Sequence, residues 1–245
     1  MNENSNVSDN LYTDILDKVK GLSAAGSRDA LMEILNNVVE EVIGILATAN
    51  IGAMLNASRS LDKEDYHIAH SLNVCLIAIK MGIKLKYQKR RLKDLALFAL
   101  DHAEEYIGIP ADLLAWVEHD KEIDGIVKLA DVYDSLTHPP SYRHELTTAD
   151  TLMSIIDSQN FFAPDIVKML MREISLYPIG CMVELNNGEI GEVVETNEKM
   201  PLRPVIRILT GRKINIDLSK EGLIRIIRAI TKEERSEKGS SFGRI

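Results

Sequence analysis

The residues best suited to chemistry are histidines and acids set at helical spacings. His67 and His70 stand three apart, His102 follows Asp101, and Asp131 and Asp134 again stand three apart. Three residues are nearly one helical turn, so each spaced pair shares a face. His and Asp side chains borne by separate helices of a bundle can converge on a metal ion in the core. A mixed imidazole and carboxylate set suits Fe, Mn or Zn acting as a Lewis acid. The bland reading competes: a lone His is commonly a surface or hydrogen-bonded core residue, and acids three apart are commonly a solvated face. Spacing alone leaves both open.

Positioning such residues requires helices, and the chain supplies the pattern. Leu31, Ile34, Leu35, Val38, Val39, Val42 and Ile43 recur at three and four residues, with Ser27 placed as an N-cap. A second stripe, Ile68, Leu72, Cys75, Leu76 and Ile79, is expected to end at Gly82 as its C′ residue. Gln88 to His102 predicts a third helix, Ala111 to Glu118 a fourth after Pro110, and Ile123 to Leu136 a fifth that stops before Pro139-Pro140. Thr147 or Thr148 opens a sixth, and Ala163-Pro164-Asp165 opens a seventh.

The texture changes after Tyr177-Pro178. Asn186-Asn187-Gly188 between two apolar runs predicts a β-hairpin, and 204–218, with Gly211 as its turn, predicts another. Short strands joined by Gly turns suggest a small barrel-like module. The expected organisation is therefore mainly α: a polar, frayed stretch over 1–10, a helical domain over 11–176, a small β domain over 177–230, and a charged, disordered tail over 231–245.

The chain has 245 residues, 45% apolar and 27% charged, a balance that supports a packed core rather than disorder. A net charge of −8 argues against nonspecific binding to nucleic acid or an anionic membrane. The two cysteines, Cys75 and Cys181, form no CxxC pair, so a disulfide framework is not expected and a reducing cytoplasm is. The first residues lack the basic and apolar regions of a signal peptide. The longest apolar stretch, 42–55, includes Thr48 and Asn50 and is too short to span a bilayer.

Segment 66–75, YHIAHSLNVC, resembles the first ligand helix of HD-domain phosphohydrolases, the HD-GYP group in particular. Segment 95–110, LALFALDHAEEYIGIP, is similar to that group's Leu-Leu-His-Asp-Ile-Gly-Lys-Ile-Gly-Ile-Pro signature. Segment 126–143, IVKLADVYDSLTHPPSYR, resembles its later aspartate helix and the loop that follows. Phe161 to Pro164 is similar to the Phe-Asp-Pro that begins its last helix, and 177–209 resembles a β extension found after some HD-GYP domains. The resemblance implies an HD-domain-like bundle with a C-terminal β module. It also implies His70, His102 and Asp131 as metal ligands.

The departures shape the expected function. Ala103 stands where the family has the aspartate of its His-Asp pair, Tyr106 stands at its signature lysine, and the Gly-Tyr-Pro motif is absent. In the family that aspartate bridges two metals, about 3.5–4 Å apart in two-metal sites. A methyl group offers neither charge nor lone pairs, so at most one divalent ion, Fe, Mn or Zn, is expected on His70, His102 and Asp131. Asp101, Asp134 or His119 are candidate replacements for the lost ligand; the family pattern around His119 is itself broken by Asp120 and Lys121.

Tyr142 and Arg143 match the family's ligand-phosphate loop, where Arg donates in pairs; the competing reading is an exposed loop after Pro139-Pro140. The basic run 84–91 is expected to be a solvated loop and helix start. No catalytic residue is assigned. The leading expectation is an HD-GYP-like signalling or interaction module with weakened or absent phosphodiesterase activity and a protein partner. The alternative is a metal-dependent phosphohydrolase acting on cyclic di-GMP through an atypical site. A third reading keeps cyclic-dinucleotide binding without hydrolysis.

Overall fold

The computed structural model describes residues 3–22, 27–47, 51–58, 66–102, 117, 120–140, 144–158, 161–197, 199–209, 214–231 and 234. Ala103, Tyr106, all but Val117 of the helix expected over 111–118, His119, Tyr142 and Arg143 lie outside them, as does most of the tail expected over 231–245. Contacts divide the chain into two compact units, 1–141 with 160–173, and 142–159 with 174–245.

The first unit is helical. Its elements are α1 (Glu3–Leu22), α2 (Arg28–Leu46), α3 (Ile51–Ser58), α4 (Tyr66–Lys84), α5 (Lys89–Asp101), α6 (Lys121–Thr137) and, later in the chain, α8 (Pro164–Glu173). The second unit contains α7 (Thr148–Asp157) and the strands. The helix α1 begins at Glu3, inside the stretch expected over 1–10. One face of α1 is buried through Tyr12, Ile15, Leu16 and Val19, at spacings of three and four. Ser27 caps α2 as its type predicts, its hydroxyl accepting the Ala30 N–H at 3.2 Å.

At the centre lies α4, buried continuously from Ser71 to Gly82 and packed against α5 and α6. Gly82 does not end it. The helix runs on to Lys84, and the left-handed C′ position falls to Lys86 (φ 59°). The Tyr87 and Lys86 N–H groups reach back to the carbonyls of Gly82 and Ile83, both at 3.0 Å, which is a Schellman motif. Gly82 serves packing instead. A Cβ there would lie 2.8 and 2.9 Å from the Leu92 and Leu95 methyls, so glycine lets α5 approach α4.

Asp120 caps α6 by accepting the Glu122 and Ile123 N–H groups, both at 3.0 Å. It also receives the Arg91 guanidinium at 2.8 Å, which ties the start of α5 to the start of α6. The basic run is thus engaged with the bundle's own acids. Lys89 and Lys93 both reach Glu40, Lys84 reaches Glu173, and Arg91 also reaches Glu122.

In the second unit five strands form one antiparallel sheet: β1 (Met182–Leu185), β2 (Ile190–Glu195), β3 (Val205–Ile208), β4 (Asn215–Asp217) and β5 (Ile226–Ile230). Their order is β4-β3-β2-β1-β5. The two expected hairpins are present, β1–β2 in the register Val183↔Gly191 and β3–β4 in the register Ile206↔Ile216. Gly188 turns the first with φ 83°. The sheet is open rather than a closed barrel, with β4 and β5 at its edges. Its core gathers Val183, Leu185, Val193, Ile206, Ile208 and Leu218, and Ala149 of α7 packs against that cluster. Thr147 caps α7, accepting the Asp150 N–H at 3.1 Å. None of the described helices is long and apolar enough to cross a membrane.

Candidate metal centre

Three helices of the first unit each bring one residue of the centre. His70 lies in the first turns of α4, His102 at the C-cap of α5, and Asp131 midway along α6. One donor atom from each lies within 4.8 Å of the other two. His70 Nε2 is 3.1 Å from Asp131 Oδ1 and 3.2 Å from His102 Nε2, and the latter is 4.0 Å from Asp131 Oδ1. Ligand bonds of about 2.1 Å at roughly tetrahedral or octahedral angles place neighbouring donors about 3.0–3.4 Å apart. Two of the three separations fall there, and the third is wider. The side chains of His70 and His102 are only 11% and 14% exposed, and that of Asp131 is 43% exposed.

The outward nitrogens are held as metal-binding imidazoles require. His70 Nδ1 is 2.8 Å from Asp134 Oδ2, and His102 Nδ1 is 2.7 Å from the Ala99 carbonyl. A carboxylate or carbonyl on the outer nitrogen fixes ring orientation and leaves the inner lone pair for a cation. The donor set therefore fits one divalent ion of the Zn, Mn or Fe class.

The cluster's electrostatics agree. Burial disfavours charge on His70, but Asp131 and Asp134 outweigh it and push its pKa up to about 9. His102 moves down, chiefly through burial and then through the neighbouring His70. Without a cation, a proton on His70 Nε2 serves both Asp131 Oδ1 and His102 Nε2. Two unprotonated imidazoles facing each other at 3.2 Å would set lone pair against lone pair.

Asp134, a candidate replacement ligand from its sequence position, faces the other way. It is fully buried and accepts from Asn73 Nδ2 at 2.9 Å, besides its contacts to His70 and to His138 Nδ1 at 2.9 Å. Burial disfavours its charge, but His138 and His70 outweigh that and hold it below the usual carboxylate range. Asn73 in turn accepts the Tyr12 hydroxyl at 2.8 Å, so α1 reaches the centre through two buried side chains. Sequence reasoning missed these supports. The available signal was Asn73, a polar residue within the apolar run of α4, three positions after His70. Nothing in the spacing points to Tyr12. Asp101 does not join the converging donors, and His67 is exposed, its ring edge-on to that of Tyr66. His138 is bound into the Asp134 cluster.

A family model described as a KOW domain associated with HD domain matches residues 182–238, which include all but the start of the β module. The chain is 18% identical to a cyclic di-GMP phosphodiesterase of Pseudomonas aeruginosa, covering 69% of this chain and 54% of that protein. It is 19% identical to the cyclic di-GMP phosphodiesterase PdeB of Borreliella burgdorferi, covering 66% of this chain and 57% of that one. Together these similarities support an HD-domain phosphohydrolase family for the chain. It spans little more than half the length of these two relatives. No solved structure matches it. The sequence-expected ligands His70, His102 and Asp131 are the described residues whose donors converge.

Proposed function

We propose that this HD-domain protein is a degenerate HD-GYP-like module that takes up one divalent cation on His70, His102 and Asp131. It signals through a cyclic dinucleotide or a protein partner, and its phosphodiesterase turnover is lost or strongly weakened. The observation that carries this reading is the count of donors. Among the described residues three protein atoms converge, enough for one ion, and residue 103, next to the ligand His102, is an alanine with no donor to bridge a second. A bound cation would supply Lewis acidity toward a phosphate oxygen. The chain's own residues fix its place: Asp134 and the Ala99 carbonyl orient the two imidazoles, and Asp131 supplies the negative charge.

The second reading, an atypical mononuclear phosphodiesterase, is favoured by the same intact trio and by the names of the two relatives. Metal analysis of the purified chain beside a cyclic di-GMP hydrolysis assay with added Mn2+ separates the two. The proposal expects close to one ion per chain, lost in His70→Ala, and no metal-dependent turnover. Near-stoichiometric metal with turnover that His70→Ala abolishes would establish the enzyme instead.

A further inference from the structure

Asp134 can orient His70 only if its own carboxylate is held in place, and α4 grips it at both oxygens. His70 Nδ1 meets Oδ2 at 2.8 Å, and Asn73 Nδ2 donates to Oδ1 at 2.9 Å. The two residues stand three apart on one face of the helix, so together they fix the plane of the carboxylate. His138 Nδ1, 2.9 Å from Oδ1, sits at the C-cap of α6, the helix that carries Asp134, and so does not tie the carboxylate to α4. Asn73 does.

The polarity of the Asn73 amide is set from α1. A carboxylate only accepts, so the amide NH2 must face Asp134 and its carbonyl must face Tyr12. The Tyr12 hydroxyl lies 2.8 Å from Asn73 Oδ1 and 3.3 Å from the Ala69 carbonyl, both acceptors, and donates to the nearer. Tyr12 is 0% exposed and Asn73 1%, a setting in which solvent does not replace a lost donor. Without the hydroxyl, Asn73 Oδ1 would lose that hydrogen bond. An inverted amide would set the same oxygen against the Asp134 carboxylate. Tyr12 lies outside the segments that resemble the HD-GYP group, so the resemblance assigns it no role.

We propose that Tyr12 is a positioning residue for His70: its hydroxyl sets the Asn73 amide, the amide sets the Asp134 carboxylate, and Asp134 turns His70 Nε2 toward His102 and Asp131. The N-terminal helix thereby tunes the candidate metal centre. The effect on cation affinity rests on the function proposed above, whereas the relay from Tyr12 to His70 does not.

Tyr12→Phe in the full chain removes the hydroxyl and keeps the ring. Mn2+ affinity, measured by competition with a fluorescent chelator, should fall about fivefold, the effect of one hydrogen bond. In an Asp134→Asn background the same change should have no further effect. Ile15→Val trims another buried side chain of α1 and should lower the urea midpoint while leaving Mn2+ affinity unchanged. In the metal-free chain, the proton resonance of His70 Nδ1 should move in Tyr12→Phe and stay in place in Ile15→Val. An unmoved resonance in Tyr12→Phe would overturn the relay, as would wild-type Mn2+ affinity in that variant. Equal affinity losses in Tyr12→Phe and Ile15→Val, or a full fivefold loss in the Asp134→Asn background, would also overturn it. A resonance moved by Tyr12→Phe in a wild-type chain that takes up no Mn2+ would keep the relay and remove the cation.

Discussion

His70 and Asp134 are joined by a 2.8 Å hydrogen bond between α4 and α6, with the Asp134 carboxylate fully enclosed. Through it the inner nitrogen of His70 faces Asp131 and His102 rather than turning away. Asp134 thereby acts on the centre without being one of the three donors that converge among the described residues.

Replacing Asp134 with Asn removes the negative charge while keeping the shape. Affinity for Mn2+ or Zn2+, measured by competition with a fluorescent chelator, should fall about 10–100-fold, the usual effect of losing an outer-shell partner. Unchanged affinity would show that His70 needs no such support. Asp134→Ala should also destabilise the fold by about 3–5 kcal/mol in urea, because charged and polar partners are left buried without an acceptor.

Ala103→Asp tests the donor count directly. If the missing carboxylate limits metal loading, the variant should bind close to two ions per chain where wild type binds one, measured by elemental analysis. Cyclic di-GMP hydrolysis should rise with it. A variant that still binds one ion would place the limit elsewhere in the site.

Asp120 gives a pH dependence of known sign. The Ile123 N–H and Arg91 hold its carboxyl below the usual carboxylate range. The stabilisation is therefore complete above the unfolded pKa of about 3.9 and is lost as pH falls through the lower folded value. Asp120→Ala should cost about 1 kcal/mol near neutrality. The gap between the urea midpoints of wild type and variant should narrow as pH drops below about 4.

Gly82→Val tests the approach of α5 to α4. The added methyls meet Leu92 and Leu95, both buried, and should destabilise the protein by about 1–3 kcal/mol in denaturant unfolding. An increase in stability would mean that helix propensity outweighs the close packing.

Much of the scaffold was legible because its signals are local. The Ser27 cap, the apolar stripe of α4, the Asn186-Asn187-Gly188 turn and the 204–218 hairpin each follow from a few neighbouring residues. The pairing of β5 with β1 was not, since it joins segments far apart in sequence and β5 shows no clean alternation. Gly82 misled for a physical reason: glycine suits both a helix end and a close helix contact, and only the neighbouring helix decides. At the centre, the trio followed from family resemblance, whereas the Tyr12–Asn73–Asp134 support depends on long-range packing.

The helix α7 packs with the sheet, although it precedes α8 of the bundle in the chain. A fragment begun at Tyr177, where the composition changes, would therefore lose Ala149 and leave that flank of the strands uncovered. Whoever wishes to study the C-terminal portion in isolation must carry α7 along.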